Sequence, residues 1–274
     1  MTTEAKVICH SVSEAGKEIV TLQLRYPRFI HAEFMTHRAF SRNASSSRAV
    51  PVAKLIEDIE RGPAMPSYWG KNQPGMQAAE DLDSISKALA QTYWQRAMLS
   101  AIKDAKALHE IGAHKQIVNR ILEPFSHINV VCTSTEWQNF FNLRCHKDAQ
   151  PEIQELANAM FKAMSFSTPK LLKIGEWHTP YVEDEEFPDP DDLGKAIACS
   201  VARCARVSYL THEGKAPKVE EDLKLYERLV GSVPIHASPA EHQATPLLRK
   251  DARSNNFLGW LQYREILEET AIGI

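Results

Sequence analysis

The stretch THRAFSRNASSSR, residues 36–48, concentrates three arginines, one histidine, one asparagine and four serines in thirteen positions. Small side chains let backbone N–H groups approach an anion, and arginine forks match the oxygens of a phosphate. The pattern therefore indicates an anion-binding site. A flexible, serine-rich surface loop with solvated arginines is the alternative that composition leaves open.

The residues that lead into this stretch predict one strand and one helix. Residues 18–25 alternate apolar and polar side chains, as a half-buried strand does. Pro27 suits the first turn of a helix, and apolar residues recur at helical spacing over 29–35. We expect that helix to end near 38–41 and residues 41–47 to form a polar loop.

A second polar constellation lies in TEWQNFFNLRCHKDAQPE, residues 135–152. Capping residues at 133–136 predict a helix that continues through Arg144. Asn139 precedes Arg144 by five residues, which places the two within roughly 140° of each other around a helix. The alternative is an amphipathic helix whose Arg144 simply extends into solvent.

Two shorter segments carry further polar groups. QIVNRILEP, residues 116–124, places Arg120 near the end of a predicted helix, where a cation also suits the helix dipole. IHASPAEH, residues 235–242, holds two histidines and Glu241, which suit proton transfer or ligand binding. The histidines are six residues apart, which does not suit two metal ligands on one helical face, so we expect no metal site. A polar surface turn is the alternative.

Composition excludes several classes of protein. The 274 residues include 43% hydrophobic and 24% charged side chains, which is ordinary for a globular protein. A net charge of −3 argues against a general nucleic-acid or membrane binder. No apolar run approaches the roughly 20 residues that span a bilayer, and the N-terminus has no signal-peptide core. Five cysteines predict free thiols, so we expect a cytoplasmic protein.

The remaining pattern predicts an α/β (α+β) fold, with a mixed sheet flanked by several helices. A short buried strand is predicted at 128–132, and an acidic, proline-containing linker at 183–192. Predicted helices span residues 51–61, 84–109, 113–122, 149–164, 193–207 and 219–230.

Together these segments resemble the flavin-dependent thymidylate synthases. That family carries a signature of the form RHRxxSxNExSxR, from which Thr36 and Ala44 depart. The signature positions that match are His37, Arg38, Ser41, Asn43, Ser46 and Arg48. The segments LRYPRFIHAEFMTHR (24–38), NRILEP (119–124) and NFFNLRCHKDAQPEI (139–153) resemble further family segments.

The resemblance implies roles for individual residues. Arg144 and Ser46 are expected to be catalytic. The substrate-binding positions that it implies are Arg48, Arg120, Arg144, Ser46 and Glu33, the last where the family tends to have glutamine. The cofactor-binding positions that it implies are His37, Arg38, Asn43, Asn139, His236, Ser238 and Glu241. The cofactors implied are FAD, methylenetetrahydrofolate and NADPH, and the expected partners are a nucleotide and a folate.

The order of the segments differs from that of the family. ARVSY (205–209), the helix EEDLKLYERLV (220–230) and HASPAEH (236–242) come before the signature in the family and after it here. We therefore expect a circularly permuted single domain over residues 1–274, which is plausible because chain termini often lie close together. The resemblance also implies a homotetramer with sites between subunits.

Three functions follow as hypotheses. The first is C5 methylation of dUMP to dTMP with methylenetetrahydrofolate and reduced flavin. The second is flavin-independent C5 hydroxymethylation of dUMP or dCMP, motivated by Thr133 and Thr135, which stand where the family often has asparagine and arginine. An ionised Glu33 only accepts hydrogen bonds, which suits the amino group of cytosine. The third is nucleotide binding without catalysis. Cys132 and Cys145 are expected to be packed thiols, not nucleophiles.

Overall fold

The computed structural model describes residues 3–75, 78, 80–207, 216 and 218–272. Its strands are β1 (Glu4–Ser13), β2 (Glu18–Pro27), β3 (Ser41–Ala44), β4 (His127–Ser134), β5 (Lys170–Leu172), β6 (Ala244–Pro246), β7 (Arg253–Ser254), β8 (Phe257–Leu258) and β9 (Trp260–Gln262). Its helices are α1 (His31–Phe34), α2 (Val52–Arg61), α3 (Ser84–Glu110), α4 (Lys115–Val118), α5 (Gln138–Arg144), α6 (Pro151–Ser165), α7 (Leu193–Ala205), α8 (Val219–Val230) and α9 (Tyr263–Ile272). The 3-10 turns are Arg28–Ile30, Asn119–Phe125, Asp184–Glu186, Pro190–Asp192 and Ser238–Glu241.

Five strands form the central sheet in the order β3-β4-β2-β1-β5. The β1–β5 pair is parallel and the other pairs are antiparallel, so the sheet is mixed, as predicted. Strand β4 pairs along its whole length with β2, and Leu24 lies opposite Val130. Because side chains alternate between the two faces of a strand, this register collects the apolar residues of both strands on one face.

The apolar face of the sheet packs against α5 and α6. Leu24 and Val130 share one buried cluster with Phe140 of α5 and Leu156 of α6. Burying each such side chain contributes about 1.5–3 kcal/mol relative to leaving it in water. This cluster therefore fixes α5 on the sheet and with it Arg144, the last residue of that helix.

The opposite face of the sheet, here called the polar face, carries Gln23, Arg25, Asn129 and Thr133 on β2 and β4. Its edge near β3 is covered by the 3-10 turn Ser238–Glu241, which also packs against α7. The C-terminal part of the chain therefore lies against β3, the strand inside residues 36–48.

A second core lies beside the sheet, between α2, α3 and the turn Asn119–Phe125. Ile59, Ile102 and Leu122 are buried in it. Helix α3 begins at a capping residue, because the Asp83 carboxylate accepts from two backbone N–H groups of the first turn. None of the described helices, including α3 with its 27 residues, is both long and apolar enough to cross a membrane.

One sequence prediction is wrong in a way that matters for the site. Residues 41–47 were expected to be a loop, but Ser41–Ala44 is strand β3 and pairs with β4. Polar residues such as Asn43 have low intrinsic strand preference, so the pairing with a well-formed neighbouring strand decides the conformation. Only residues 45–51 remain as the connection to α2.

Other elements differ from expectation in extent. The helix predicted over 29–35 is a 3-10 turn followed by the four residues of α1, and the helix expected from 133–136 begins only at Gln138. The helix predicted at 113–122 is the short α4 followed by a 3-10 turn. The acidic stretch 183–192 is mostly exposed, but Glu186 binds the buried guanidinium of Arg203 at 2.7 and 2.9 Å, which ties the stretch to α7.

Candidate active site

The structure divides the residues expected to bind the nucleotide into two groups. The first, here called the loop cluster, consists of residues 45–48 and 119–123. Ser46 and Arg48 are exposed, and Arg48 Nε lies 3.5 Å from Ser46 Oγ. Arg120 is also exposed, at 58% of its side chain. These three groups therefore face solvent, where a ligand can reach them.

Asn119 and Glu123 hold the loop cluster together. Asn119 Nδ2 donates to the backbone oxygens of Ser47 and Val50, at 2.7 and 2.9 Å. Glu123 Oε1 accepts from Ser47 Oγ at 2.5 Å and from Arg120 Nη1 at 3.1 Å. Arg120 and the loop thus meet at one carboxylate oxygen. The sequence analysis missed both organising residues, although a polar pair inside an apolar helical pattern is a signal for such a role.

The second group, here called the guanidinium cluster, consists of His37, Arg144 and Phe140. Arg144 donates its Nε–H to His37 Nε2 at 2.9 Å, and the His37 ring meets the edge of Phe140 at 4.8 Å between centroids. Burial, followed by the charges of Arg144 and Arg42, lowers the pKa of His37 to about 4. His37 is therefore neutral near pH 7 and accepts through Nε2, so its proton resides on Nδ1.

Arg144 keeps most of its binding capacity for a ligand. Its Nε–H points to His37, and its two Nη groups have no hydrogen-bond partner among the described residues. Two parallel N–H groups of one guanidinium are the arrangement that binds paired oxygens in a fixed plane. A neutral, partly buried acceptor therefore orients a cationic fork whose outer N–H groups have no partner among the described residues.

Three expected site residues lie on the surface, and their side chains make no hydrogen bonds within the described part of the chain. They are Glu33, Arg38 and Asn139, all of which are exposed. Glu33 takes part in the local structure only through its backbone oxygen, which accepts from Thr36 Oγ1 at 2.7 Å. All three side chains are thus available to a ligand that approaches from outside.

The remaining expected cofactor positions divide differently. His236 and Ser238 are exposed, whereas Glu241 forms an ion pair with Arg264. Asn43 is buried and its Nδ2 donates to the backbone oxygen of Cys204 at 3.4 Å. Two of these positions are therefore engaged inside the protein and two are open.

The C-terminal hairpin β7–β8 reaches the signature stretch, a contact that the sequence analysis did not anticipate. Asn256 Nδ2 donates to Ser41 Oγ at 3.1 Å, and the Leu258 N–H donates to Thr135 Oγ1 at 2.9 Å. Thr133 is hydrogen-bonded to His242 Nδ1 at 2.8 Å. Polar groups around β3 and β4 are thus satisfied by the chain itself.

The arrangement suits a flavin at some expected positions and not at others. Arg38 can pair with a flavin phosphate and Asn139 can offer its amide, because both side chains are exposed and unbonded within the described residues. Asn43, Glu241, Thr133 and Thr135 have internal partners. Arg38 and Asn139 are therefore the positions through which a flavin fits this chain best.

The described residues were compared with the ligand sets of metal sites and with activated thiols. Among them, no group of three or more histidine, cysteine, aspartate or glutamate side chains could hold a metal ion. Cys132 is fully buried in the apolar core, and burial raises the pKa of its thiol well above the usual range. Cys145 is partly exposed and burial also raises its pKa. Neither thiol has the depressed pKa of an activated nucleophile.

Comparison with known proteins identifies the family. The family model described as thymidylate synthase complementing protein matches residues 10–170, more than half of the chain. The chain belongs to this family. This family is the flavin-dependent thymidylate synthase family, which the signature resembles. As a member, the chain is a thymidylate synthase-like one-carbon transferase. The matched range contains both the loop cluster and the guanidinium cluster.

One solved structure shares the fold of this thymidylate synthase-like chain. A UMP/dUMP methylase, PolB from Streptomyces cacaoi bound with 5-Br UMP, has a TM-score of 0.50 and 18% identity over 60% of this chain and 88% of that one. The same methylase bound with 5-Br dUMP has a TM-score of 0.44 and 21% identity, over 54% of this chain and 67% of that one. A search of curated proteins finds no match.

Proposed function

We propose that this chain is a cytoplasmic enzyme that transfers a one-carbon unit from methylenetetrahydrofolate to C5 of dUMP, giving dTMP with reduced flavin. The observation that carries the proposal is the guanidinium of Arg144, oriented by neutral His37 with its Nη groups open. Membership of a family of one-carbon transferases supports the reaction class. All five cysteines are free, as suits a reducing compartment.

Arg144 has the chemical character that the reaction needs. As C5 of uracil becomes nucleophilic, the ring gains enolate character and negative charge builds on its carbonyl oxygens. A fixed cation aimed at those oxygens stabilises the developing charge more than it stabilises the ground state. His37 holds the guanidinium in place, and because it is neutral it adds no second cation that would repel Arg144.

The loop cluster provides the matching site for the phosphate. Arg48 and Arg120 supply cationic forks, and the Ser46 hydroxyl lies beside Arg48. Glu123 compensates part of the charge of Arg120 when no ligand is bound, at 3.1 Å. A phosphate dianion competes with that carboxylate for the guanidinium, which favours a doubly charged monoester over a neutral nucleoside.

The cofactors take the open positions. Reduced flavin, when bound, supplies the hydride that converts the transferred carbon into a methyl group, and NADPH is the expected source of that hydride. Arg38 and Asn139 are the residues expected to hold the flavin. His236 and Ser238, both exposed on the turn before β6, are expected to contact the folate.

A second function is favoured by the groups that are engaged inside the protein. Asn43, Glu241, Thr133 and Thr135 all have internal partners. A chain that binds flavin weakly would let water capture the methylene carbon on C5. The products would then be 5-hydroxymethyl-dUMP and tetrahydrofolate, with the C5 hydrogen leaving as a proton.

One incubation separates these functions. Purified protein is mixed with dUMP and methylenetetrahydrofolate, with and without reduced FAD, and the nucleotide is analysed by mass spectrometry. The dTMP mass only in the presence of flavin supports methylation, and the hydroxymethyl mass without flavin supports the second function. A parallel reaction with dCMP tests whether Glu33 favours a cytosine nucleotide as the substrate. If the nucleotide mass is unchanged in every reaction, the third hypothesis, nucleotide binding without catalysis, is favoured.

The two clusters fit an assembly of several chains. We propose a homotetramer in which the loop cluster of one subunit and the guanidinium cluster of another complete each site. Helix α3 supports this, because Leu89, Tyr93 and Leu99 are more than half exposed on a helix of 27 residues. Light scattering coupled to gel filtration tests the mass, and a monomer would contradict the shared site.

The order of the segments supports circular permutation of the single domain. The family model ends at residue 170, whereas α7, α8 and the turn Ser238–Glu241 follow it. The turn packs against β3 and α7, and α8 packs against α7. Ser208 and Tyr209 of the ARVSY segment lie outside the described residues. A gene in which residues 193–272 precede 3–192 should give a folded, active enzyme, and an insoluble product with no activity would oppose the proposal.

A further inference from the structure

The polar face of the sheet carries a second cluster of cationic groups, separate from the residues assigned to dUMP. A cavity of about 240 Å³ lies between β2, β4, α2 and the end of α7. Cavities for drug-sized ligands usually measure about 300–1,000 Å³, so this one suits a small ligand or one end of a larger ligand. Its lining includes Arg25, Arg28, Lys54, Arg206 and His127.

The charge of the cavity is positive. Asp58 is the one carboxylate among the described lining residues, and Arg206 is ion-paired with Asp222. Even with Arg206 and Lys54 left out, Arg25 and Arg28 outnumber Asp58 among the lining residues, so the cavity keeps a positive excess. A concave surface with one sign of charge attracts the opposite ion.

The two arginines on the sheet side of the cavity lack hydrogen-bonded carboxylates. The Arg25 side chain makes no hydrogen bond or ion pair within the described part of the chain. Arg28 donates to two neutral oxygens, Ser126 Oγ at 3.3 Å and the backbone oxygen of Ser45 at 3.2 Å. Burial lowers the pKa of Arg28, because a cation that is partly removed from water is destabilised.

His127 adds an independent sign of a missing ligand. Its side chain lines the cavity and the residue is only 9% exposed. Its Nε2 is buried and has no hydrogen-bond partner among the described residues. Buried polar atoms in native proteins nearly always have a partner, so a ligand or ordered solvent belongs beside this nitrogen. Burial and the neighbouring Arg25 lower the pKa of His127 to about 4, so the imidazole is a neutral donor or acceptor.

We propose that this cavity is a second anion site, which binds a phosphate group between Arg25, Arg28 and His127. The site is distinct from the groups assigned to the dUMP phosphate, because successive residues of the loop alternate in direction. Ser45 and Ser47 line the cavity, whereas Ser46 and Arg48 face solvent. The phosphate comes either from free inorganic phosphate or from a nucleotide monophosphate, and these two sources give different results in the test.

The test is calorimetric titration of the full chain with inorganic phosphate at constant ionic strength. The wild type should bind phosphate saturably, and Arg25→Gln should weaken this binding at least tenfold. The Arg25 side chain makes no hydrogen bond within the described residues, so its replacement should leave the fold intact. His127→Gln is a second variant, expected to act in the same direction. Arg96→Gln, on the exposed side of α3, is the matched control and should bind like the wild type.

A double variant, R48Q/R120Q, distinguishes failure of this proposal from failure of the proposed function. It removes the two arginines assigned to the dUMP phosphate and should still bind phosphate in the cavity, whether or not the protein turns over dUMP. Absence of saturable binding by the wild type, wild-type affinity in R25Q, or loss of binding in R48Q/R120Q would each overturn the proposal. Titration with dUMP identifies the source of the phosphate. If the wild type binds two equivalents of dUMP and R25Q binds one, the cavity binds a nucleotide. If the wild type and R25Q both bind one equivalent of dUMP, the cavity binds free phosphate.

Discussion

Arg144 at the end of α5 donates its Nε–H to Nε2 of His37 at 2.9 Å, and this bond joins two segments that lie 107 residues apart. The apolar cluster beneath α5 fixes one partner and the short segment before β3 fixes the other. Because the imidazole is neutral, it acts as an acceptor that sets the direction of the guanidinium.

Removing the Arg144 charge should reduce turnover itself. Arg144→Gln is expected to lower kcat for dUMP by about 100-fold, the typical loss when one group that stabilises transition-state charge is removed. His37→Leu should reduce kcat by a smaller factor, because the fork keeps its charge but loses its orientation. Steady-state kinetics provide the measurement. His37→Gln, which retains an acceptor, is the matched control, and equal losses in the leucine and glutamine variants would contradict the orienting role.

The pH dependence of turnover should show no titration of His37 near neutrality. Its pKa in the folded protein is about 4, below the usual 6.5, because of burial and the nearby arginines. Protonation, which would break the bond from Arg144, is therefore confined to pH values near or below 4. Profiles of kcat for the wild type and His37→Gln should have the same shape above pH 6.5. An ionisation near 6.5 in the wild type that His37→Gln abolishes would show that the histidine is cationic during turnover.

Changes in the loop cluster should affect binding more than chemistry. Arg48→Gln and Arg120→Gln should each raise the KM for dUMP by about tenfold or more, since a hydrogen bond to a charged group contributes about 1.5–3 kcal/mol. The kcat values should change little, because phosphate contacts are equally present before and during the reaction. Arg96→Gln serves as the control on α3. A large fall in kcat with unchanged KM would place these arginines in the chemistry.

Acid should destabilise the fold through two buried histidines. His178 and His242 lie in a chain of hydrogen bonds with Thr21 and Thr133, and burial lowers both pKa values from 6.5 to about 3. The unfolded state therefore takes up protons below pH 6.5 that the folded state refuses. The stabilisation is complete above pH 6.5 and is lost progressively as the pH falls towards 3. Urea unfolding as a function of pH measures it, and a constant free energy of unfolding between pH 7 and 4 would contradict it.

Local patterns were sufficient to predict β2, α2, α3 and the C-terminal end of α5. Each is a strong periodic segment with recognisable ends, and each lies close to its expected position. Strand β3 was not predictable in this way, because Ser41–Ala44 is polar and becomes a strand only through its pairing with β4. Tertiary pairing therefore determined the conformation of the stretch that carries the site.

The side chains proposed for the site came from the sequence, but the contacts between them could not be predicted from it. The sequence analysis proposed Arg48, Arg120 and Arg144, but it contained no signal that His37 would accept from Arg144 across 107 positions. It also gave no indication of Glu123 as the shared partner of Ser47 and Arg120. Such contacts depend on the register of distant elements, which periodicity does not specify.

The central claim is that this protein substitutes C5 of dUMP, and release of tritium from dUMP labelled at C5 tests it most directly. Both methylation and hydroxymethylation displace that hydrogen, so the measurement does not depend on which product forms. We predict release of tritium into water that requires methylenetetrahydrofolate and falls by about 100-fold in Arg144→Gln. With folded protein, folate and reduced flavin all present, retention of the label in dUMP would contradict the account.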